Sequence, residues 1–125
     1  MTASITTFEL GNTYRVAWNL TTASPTGNFI EMPGASDRCV HVYPTAAGTF
    51  GGATCILEGS NDPRVETDPG NAVWTQLTDP SSTAISFTAA GIEAVNENPL
   101  YIRPRLSVPG TAAQVTVQLL NRGTN

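Results

Sequence analysis

Apolar and polar residues alternate most regularly near the start of the chain. Over residues 14–20, YRVAWNL, large apolar side chains take every second position, with small or polar side chains between them. Successive side chains of a β-strand point to opposite faces of a sheet, so this period of two predicts a strand with one face in a core.

Shorter runs of the same kind recur along the chain and predict further strands. They are CVHVY (39–43), ATCILE (53–58), VWTQL (73–77), AISFT (84–88), YIRPRL (101–106) and QVTVQLL (114–120), with NFIE (28–31) a weaker eighth. Clusters of glycine, proline, asparagine and aspartate separate these runs, and such residues form turns. The pattern predicts an all-β fold, an antiparallel β-sandwich of jelly-roll type with seven to eight short strands.

One segment has a helical pattern. In TAAGIEAVNE (88–97) Thr88 can cap a turn, but Gly91 and the following Asn98-Pro99 keep it short. We therefore expect at most one short helical turn in the fold.

Pro104 constrains the strand predicted over 101–106. Proline has no backbone N–H, so within a sheet it is confined mostly to edges, strand ends or bulges. We expect this strand to lie at an edge or to contain a bulge.

A chain of 125 residues fits one domain. We assign residues 13–125 to a single β-sandwich and residues 1–12 to an N-terminal arm, because no strand is predicted before Thr13. Chain termini are usually mobile unless held by contacts, so we expect the arm to order on a neighbouring subunit. Seven apolar side chains of the regular strands form the predicted core: Trp18, Trp74, Ile85, Phe87, Val115, Val117 and Leu119.

The charges exclude some classes of partner. Only 13% of the residues are charged, the net charge is −4, and all six cations are arginine. Nucleic-acid binding and membrane-surface binding both require clustered cations, so we expect neither partner. No stretch is long and apolar enough to span a membrane, and the first residues lack the features of a secretory signal. We expect a soluble chain.

The sequence offers little for catalysis or metal binding. His41 is the one histidine and lies mid-strand with no evident orienting partner, so we select no catalytic residue and predict no enzyme. Cys39 and Cys55 lack the spacing of zinc or redox motifs, and we expect free, buried thiols; a disulfide between neighbouring strands is the alternative. We select no cofactor-binding or metal residue. The oxygen-rich EGSNDPRVETDPGN (58–71) suits calcium chemically, but a solvated loop is the preferred interpretation.

Arg103 and Arg105 are two residues apart and so share one face of their strand. Such a pair can bind carboxylates of a partner, and the alternative is pairing with Glu93 or Glu97 of the same chain.

Two stretches carry resemblances. ILEGSNDPRVETDPGNAVWTQLTD (56–79) resembles the hairpin of discoidin-like, galactose-binding-type jelly rolls, which implies a carbohydrate- or lipid-binding module. ISFTAAGIEAVNENPLYIRPRLSVPGTAAQVTVQLLNRG (85–123) resembles the C-terminal part of small virion proteins of tailed bacteriophages. The second resemblance implies a virion component assembled in the host cytoplasm.

We expect a capsid decoration, or cement, protein that binds the major capsid protein or other virion subunits and forms a homo-oligomer, with a trimer favoured. The alternatives are a carbohydrate-binding attachment module and a neck or tail accessory protein. The candidate interface residues are Phe8, Leu10, Tyr14, Arg103 and Arg105.

Overall fold

The computed structural model of the chain describes residues 2–3, 5–10, 13–31 and 37–122. These residues form mostly strands, which confirms the all-β prediction. The strands are β1 (Thr2–Ala3), β2 (Ile5–Leu10), β3 (Thr13–Thr21), β4 (Thr26–Gly27), β5 (Ile30–Glu31), β6 (Asp37–Pro44), β7 (Thr54–Ser60), β8 (Thr75–Gln76), β9 (Ser86–Phe87), β10 (Gly91–Ala94), β11 (Tyr101–Val108) and β12 (Gln114–Arg122). A short helix, α1 (Arg64–Thr67), and a 3-10 turn at Pro69–Asn71 follow β7. No helix in the described ranges is long and apolar enough to cross a membrane.

The strands form two sheets. One has five strands in the order β10-β6-β12-β3-β2, and the other has seven, in the order β1-β4-β11-β7-β8, with β5 beside β11 and β9 beside β7. β1 and β4 are parallel, whereas the long neighbours β3, β12 and β6 and the pair β11 and β7 are antiparallel.

The core lies between the sheets and follows from the alternation in the sequence. The inward positions of β3 and β12 are almost inaccessible to solvent, including Trp18 at 1% and Val117 at 0%. Six of the seven predicted core residues are buried. Trp74 is the exception, because it lies half-buried outside the core cluster.

β11 is an interior strand, so the expectation of an edge strand is wrong. β7 pairs with it along one side, while β5 and β4 pair with its other side at Tyr101–Ile102 and at Arg105. The strand pairing on this side is interrupted between β5 and β4. The interruption lies opposite Pro104, which has no backbone N–H to donate. There the carbonyl of Asn28 accepts the Trp18 indole N–H instead, at 2.9 Å. The expected irregularity occurs further along, between Leu106 and Val108.

Gly27 permits this arrangement. A Cβ on Gly27 would lie 2.8 Å from Pro104 Cδ and 2.8 Å from Trp18 Cδ1, closer than carbon atoms tolerate. The proline and the indole therefore pack directly against the backbone of β4.

The helical prediction over 88–97 is wrong. Residues 91–94 form β10, which pairs antiparallel with β6 and places Ile92 beside His41. Pairing with a long strand satisfies the backbone groups, whereas a short helix containing Gly91 would be weak. Among the described residues, the helical segments lie instead at residues 64–71.

The strands predicted over 73–77 and 84–88 are shorter than expected. β8 and β9 have two residues each because both pair with the same side of β7. β9 takes Cys55 and Ile56, and β8 takes Glu58 and Gly59.

The expectation of no strand before Thr13 is also wrong. Ile5–Leu10 form β2, which pairs with β3 of the same chain, and Thr2–Ala3 pair with β4 in the other sheet. Burying Ile5 against the domain's own core favours this position. Docking of this segment on a neighbouring subunit stays a prediction.

Candidate interaction surfaces

Part of the outer face of the seven-stranded sheet is covered by the chain itself. Residues 60–76, the covering segment, leave β7 and cross this face. Val65 of α1 is 1% exposed although it lies outside the central core. The Tyr101 hydroxyl donates a hydrogen bond to Glu66, and Ser60 Oγ donates one to the carbonyl of Val73. These contacts bury polar residues of β7 on the side that faces away from the core.

Under the edge of this segment lies an arginine cluster, formed by Glu58, Trp74, Arg103 and Arg105. Arg103 Nε lies 3.1 Å from Glu58 Oε1, and Arg105 binds both carboxylate oxygens, at 3.0 Å through Nε and 3.1 Å through Nη2. The Glu58 residue is only 5% exposed. The guanidinium carbon of Arg103 lies 4.0 Å from the centre of the Trp74 ring, a cation–π contact.

The two arginines therefore share one face, and their intrachain partner is Glu58 rather than Glu93 or Glu97. β-strand pairing explains the choice, since Arg103 lies directly opposite Glu58 in the β11–β7 register. Spacing within one segment could not reveal this partner. An interface role for the two arginines stays a prediction.

Glu97 serves a different purpose. Its carboxylate accepts hydrogen bonds from the Thr78 hydroxyl and from Thr78 N, the latter at 2.8 Å. Desolvation acts to raise the pKa of Glu97, but the bonds from Thr78 outweigh it and lower the pKa. The carboxylate thus holds the start of the 78–84 turn.

The acidic residues of the 58–71 segment take separate protein partners. Asp62 bonds Arg64 and the N–H of Val73, and the Arg64 side chain is the main cause of a pKa well below the usual range for Asp62. Asp68 accepts a bond from Asn71. Within the described ranges no group of three or more His, Cys, Asp or Glu side chains could hold a metal ion.

The outer face of the five-stranded sheet, the open face, differs from the covered one. In the described ranges, none of its outward-facing side chains is buried. Its side chains are half-buried or exposed: Thr6, Arg15, Ala17, Asn19, Cys39, His41, Tyr43, Ile92, Thr116, Gln118 and Leu120.

One row of this open face crosses all five strands. The register aligns Thr6 with Ala17, Ala17 with Gln118, Gln118 with His41 and His41 with Ile92. None of the five side chains is that of Asp, Glu, Lys or Arg. Ile92 is 61% exposed at the end of the row.

Aromatic and amide side chains contact one another at the centre of the open face. The His41 and Tyr43 rings are 4.7 Å apart, and Gln118 donates to the Tyr43 hydroxyl. The alternation within CVHVY (39–43) predicts that His41 and Tyr43 share one face, but it does not show that this face is an open one.

The other candidate interface residues lie at the end of the same sheet. Tyr14 is half-buried and packs against the domain's own core. The backbones of Phe8 and Leu10 pair with Arg15 and Thr13. The side chains of Phe8 and Leu10 lie outside the part of the chain that the structure describes.

Both cysteines are free thiols, as predicted. Cys39 lies on the open face of β6 and is half-buried rather than buried, whereas Cys55 is in the core of the other sheet. Burial raises the pKa of the Cys55 thiol to about 12. Their strands belong to different sheets, so a bridge between neighbouring strands is not formed.

A cleft lies at one end of the sandwich, beside the covering segment. Its volume is about 510 Å³, and the 60–62 loop, the 75–77 segment and the 97–99 turn line it. Asn61 uses its amide oxygen to accept a bond from Leu100 N, and Gln76 uses its amide nitrogen to bond the carbonyl of Ile85. The opposite ends of both amides have no partner among the described residues. No protein-family model and no curated protein matches this chain.

Proposed function

We propose that this chain is a structural protein of a tailed-bacteriophage virion, a capsid decoration protein that binds shell subunits through its open face. The observation that carries the proposal is the row across the five-stranded sheet, which has no Asp, Glu, Lys or Arg and in which no described side chain is buried, whereas part of the opposite sheet is covered. The resemblance of residues 85–123 to small virion proteins supplies the biological setting.

The chemistry of the open face suits a protein partner. The cores of protein–protein interfaces are depleted in charge and enriched in aromatic side chains. Here His41, Tyr43 and Gln118 lie in the middle, while Asp37 and Arg122 pair in register at one end. A partner can cover the middle without burying an unpaired charge, which would be costly.

The same face argues against a role as a freely diffusing monomer. Contiguous exposed apolar patches mark interaction sites in soluble proteins, and on this face the side chain of Ile92 is 61% exposed. A decoration protein keeps such a patch of its own surface covered, because it binds the shell through the patch at every equivalent position.

Binding of this kind strengthens a shell by mass action. A ligand that binds only the assembled state stabilises it by about 2.7 kcal/mol per site at a hundredfold excess over Kd. Because the site repeats over the shell, modest affinity at each position is sufficient.

The test compares shells assembled without the protein with the same shells after the protein is added back. The protein is expected to co-sediment with the shells and to raise the temperature at which they rupture. Equal rupture temperatures with and without bound protein would contradict the cement function.

The cleft favours a second candidate, a carbohydrate-binding attachment module. Ligand pockets commonly enclose about 300–1,000 Å³ and combine an apolar floor with a few fixed polar groups. Leu77 and Pro99 form apolar lining here, and the free amide ends of Asn61 and Gln76 can bond hydroxyl groups. Binding on a glycan array that is lost in Asn61→Ala, without any binding to shells, would favour this candidate over the first.

A further inference from the structure

The arginine cluster retains hydrogen-bond donors that the chain does not use. The printed bonds to Glu58 engage Nε of Arg103 and Nε and Nη2 of Arg105. Within the described part of the chain, Nη1 and Nη2 of Arg103 and Nη1 of Arg105 donate to no protein acceptor. The Arg103 and Arg105 side chains are 23% and 36% exposed, so these donors reach solvent.

The cluster is also rigid. Glu58 fixes one edge of each guanidinium, and the Trp74 ring packs on the face of Arg103. Side chains held in place in this way lose less conformational entropy on binding than free arginines do. The outer edge of Arg103 is thereby presented as a fixed fork of two N–H groups.

Charge limits what this fork can bind. Two guanidinium groups and one carboxylate leave a single net positive charge in a protein of net charge −4. That charge suits a monoanion. A phosphate dianion or a nucleic-acid backbone would be repelled by Glu58 and by the chain as a whole, and no lysine offers further cations.

We propose that the arginine cluster is a carboxylate-binding site that takes an aspartate or glutamate side chain of a neighbouring protein subunit. The planar fork of arginine matches the two oxygens of a carboxylate. The site lies on the sheet opposite the open face. The subunit that binds the arginine cluster is therefore a different neighbour from the subunit that binds the open face. The inference rests on the proposed function in taking the carboxylate from a shell subunit.

The test uses a blocked tetrapeptide with a single glutamate, Ala-Ala-Glu-Ala, and ¹⁵N-labelled protein, with no shell present. The peptide is expected to shift the Nε–H signals of Arg103 and Arg105 and the Trp74 indole signal in a saturable way. The same peptide with glutamine in place of glutamate is expected to shift none of them. Arg103→Gln should weaken peptide binding by about tenfold or more, the usual scale for losing a charged hydrogen bond.

Arg64→Gln is the matched control, because it removes the same charge from an exposed arginine that pairs with Asp62. It is expected to change peptide affinity by less than about twofold, as for an exposed ion pair. If Arg103→Gln fails to fold, Arg103→Lys keeps the charge, loses the fork and should still weaken binding.

Three results would overturn the site. These are no saturable shift, an equal loss of affinity in Arg64→Gln, or a stronger response to inorganic phosphate than to the peptide. Because no shell is used, failure here leaves the shell-binding test of the proposed function unaffected.

Discussion

The two outer faces of this sandwich differ in how far the chain itself covers them and in the charges they carry. On the seven-stranded sheet, the covering segment shields β7, and Glu58 is neutralised by two arginines at 3.0 and 3.1 Å. On the five-stranded sheet, no side chain in the row from Thr6 to Ile92 is buried, and the row contains no Asp, Glu, Lys or Arg.

This difference separates folding from function. A carboxylate on a face that the chain covers itself needs a charged partner from the same chain, because a buried carboxylate without a partner would destabilise the fold. A face that a neighbour covers is better left without charge. The contrast predicts that substitutions on the covered face lower stability and that substitutions on the open face lower binding.

The largest effect is expected below both faces, in the shared core. Trp18→Ala should cost about 3–5 kcal/mol of unfolding free energy, the usual range for removing a buried tryptophan. Its side chain is 1% exposed and its indole N–H bonds Asn28. Trp74→Ala should cost far less, since Trp74 is half-buried and contacts Arg103. Urea unfolding measures both, and equal losses would contradict the assignment of the two tryptophans.

The next effect concerns the covered face. Glu58→Gln should cost about 1–3 kcal/mol, because it removes the one carboxylate between two partly exposed arginines. The melting temperature and the urea midpoint should both fall. Glu31→Gln, on β5, removes the same charge from an exposed position and serves as the reference for a simple charge change. Unchanged stability in Glu58→Gln would show that the cluster does not hold the covered face together.

The sequence predicts part of this fold reliably because some strands bury only one face. β3, β6 and β12 alternate between inward and outward residues, so their extent and their buried side chains follow from the period of two. β7 is buried along nearly its whole length and alternates poorly. The local pattern predicts a helix where β10 lies, and this prediction is wrong because the partner strand β6 is about fifty residues away in sequence, a separation that local patterns do not encode.

The candidate surfaces were less predictable. Spacing placed Arg103 and Arg105 on one face, but only the β11–β7 register brings Glu58 between them. Trp74 looked like a core residue because its run is apolar, whereas it packs on Arg103 outside the core. Identifying the open face requires the structure, because only the structure shows which sheet the covering segment crosses.

A smaller effect is expected in acid and concerns the turn beside the cleft. The pKa of Glu97 is lowered in the folded state from its ordinary value of 4.5. A lowered folded-state pKa adds stability that is fully present above pH 4.5 and is lost as the pH falls through the folded-state value. Glu97→Gln should therefore reduce the loss of stability between pH 5 and pH 3. Urea unfolding at both values checks this, and an unchanged pH dependence would contradict it.

On the open face, the effect on stability should be the smallest of all. Ile92→Glu replaces a side chain that is 61% exposed, and Val108→Glu replaces one that is 50% exposed in the other sheet. Each should change the unfolding free energy by no more than about 0.5 kcal/mol, as for surface substitutions in general. A large loss in Ile92→Glu would mean that the open face helps to hold the monomer together.

Shell binding by Ile92→Glu, Val108→Glu and a third variant, Gln118→Glu, tests the central claim most directly. Gln118→Glu at the centre of the open face and Ile92→Glu at its edge each add one negative charge, as does the control Val108→Glu. In co-sedimentation with shells that lack the protein, the two open-face variants should bind at least about tenfold more weakly than the wild type, because a neighbour would bury the added charge. Val108→Glu should bind like the wild type. Wild-type affinity in Gln118→Glu and Ile92→Glu would contradict the claim that the open face binds the shell.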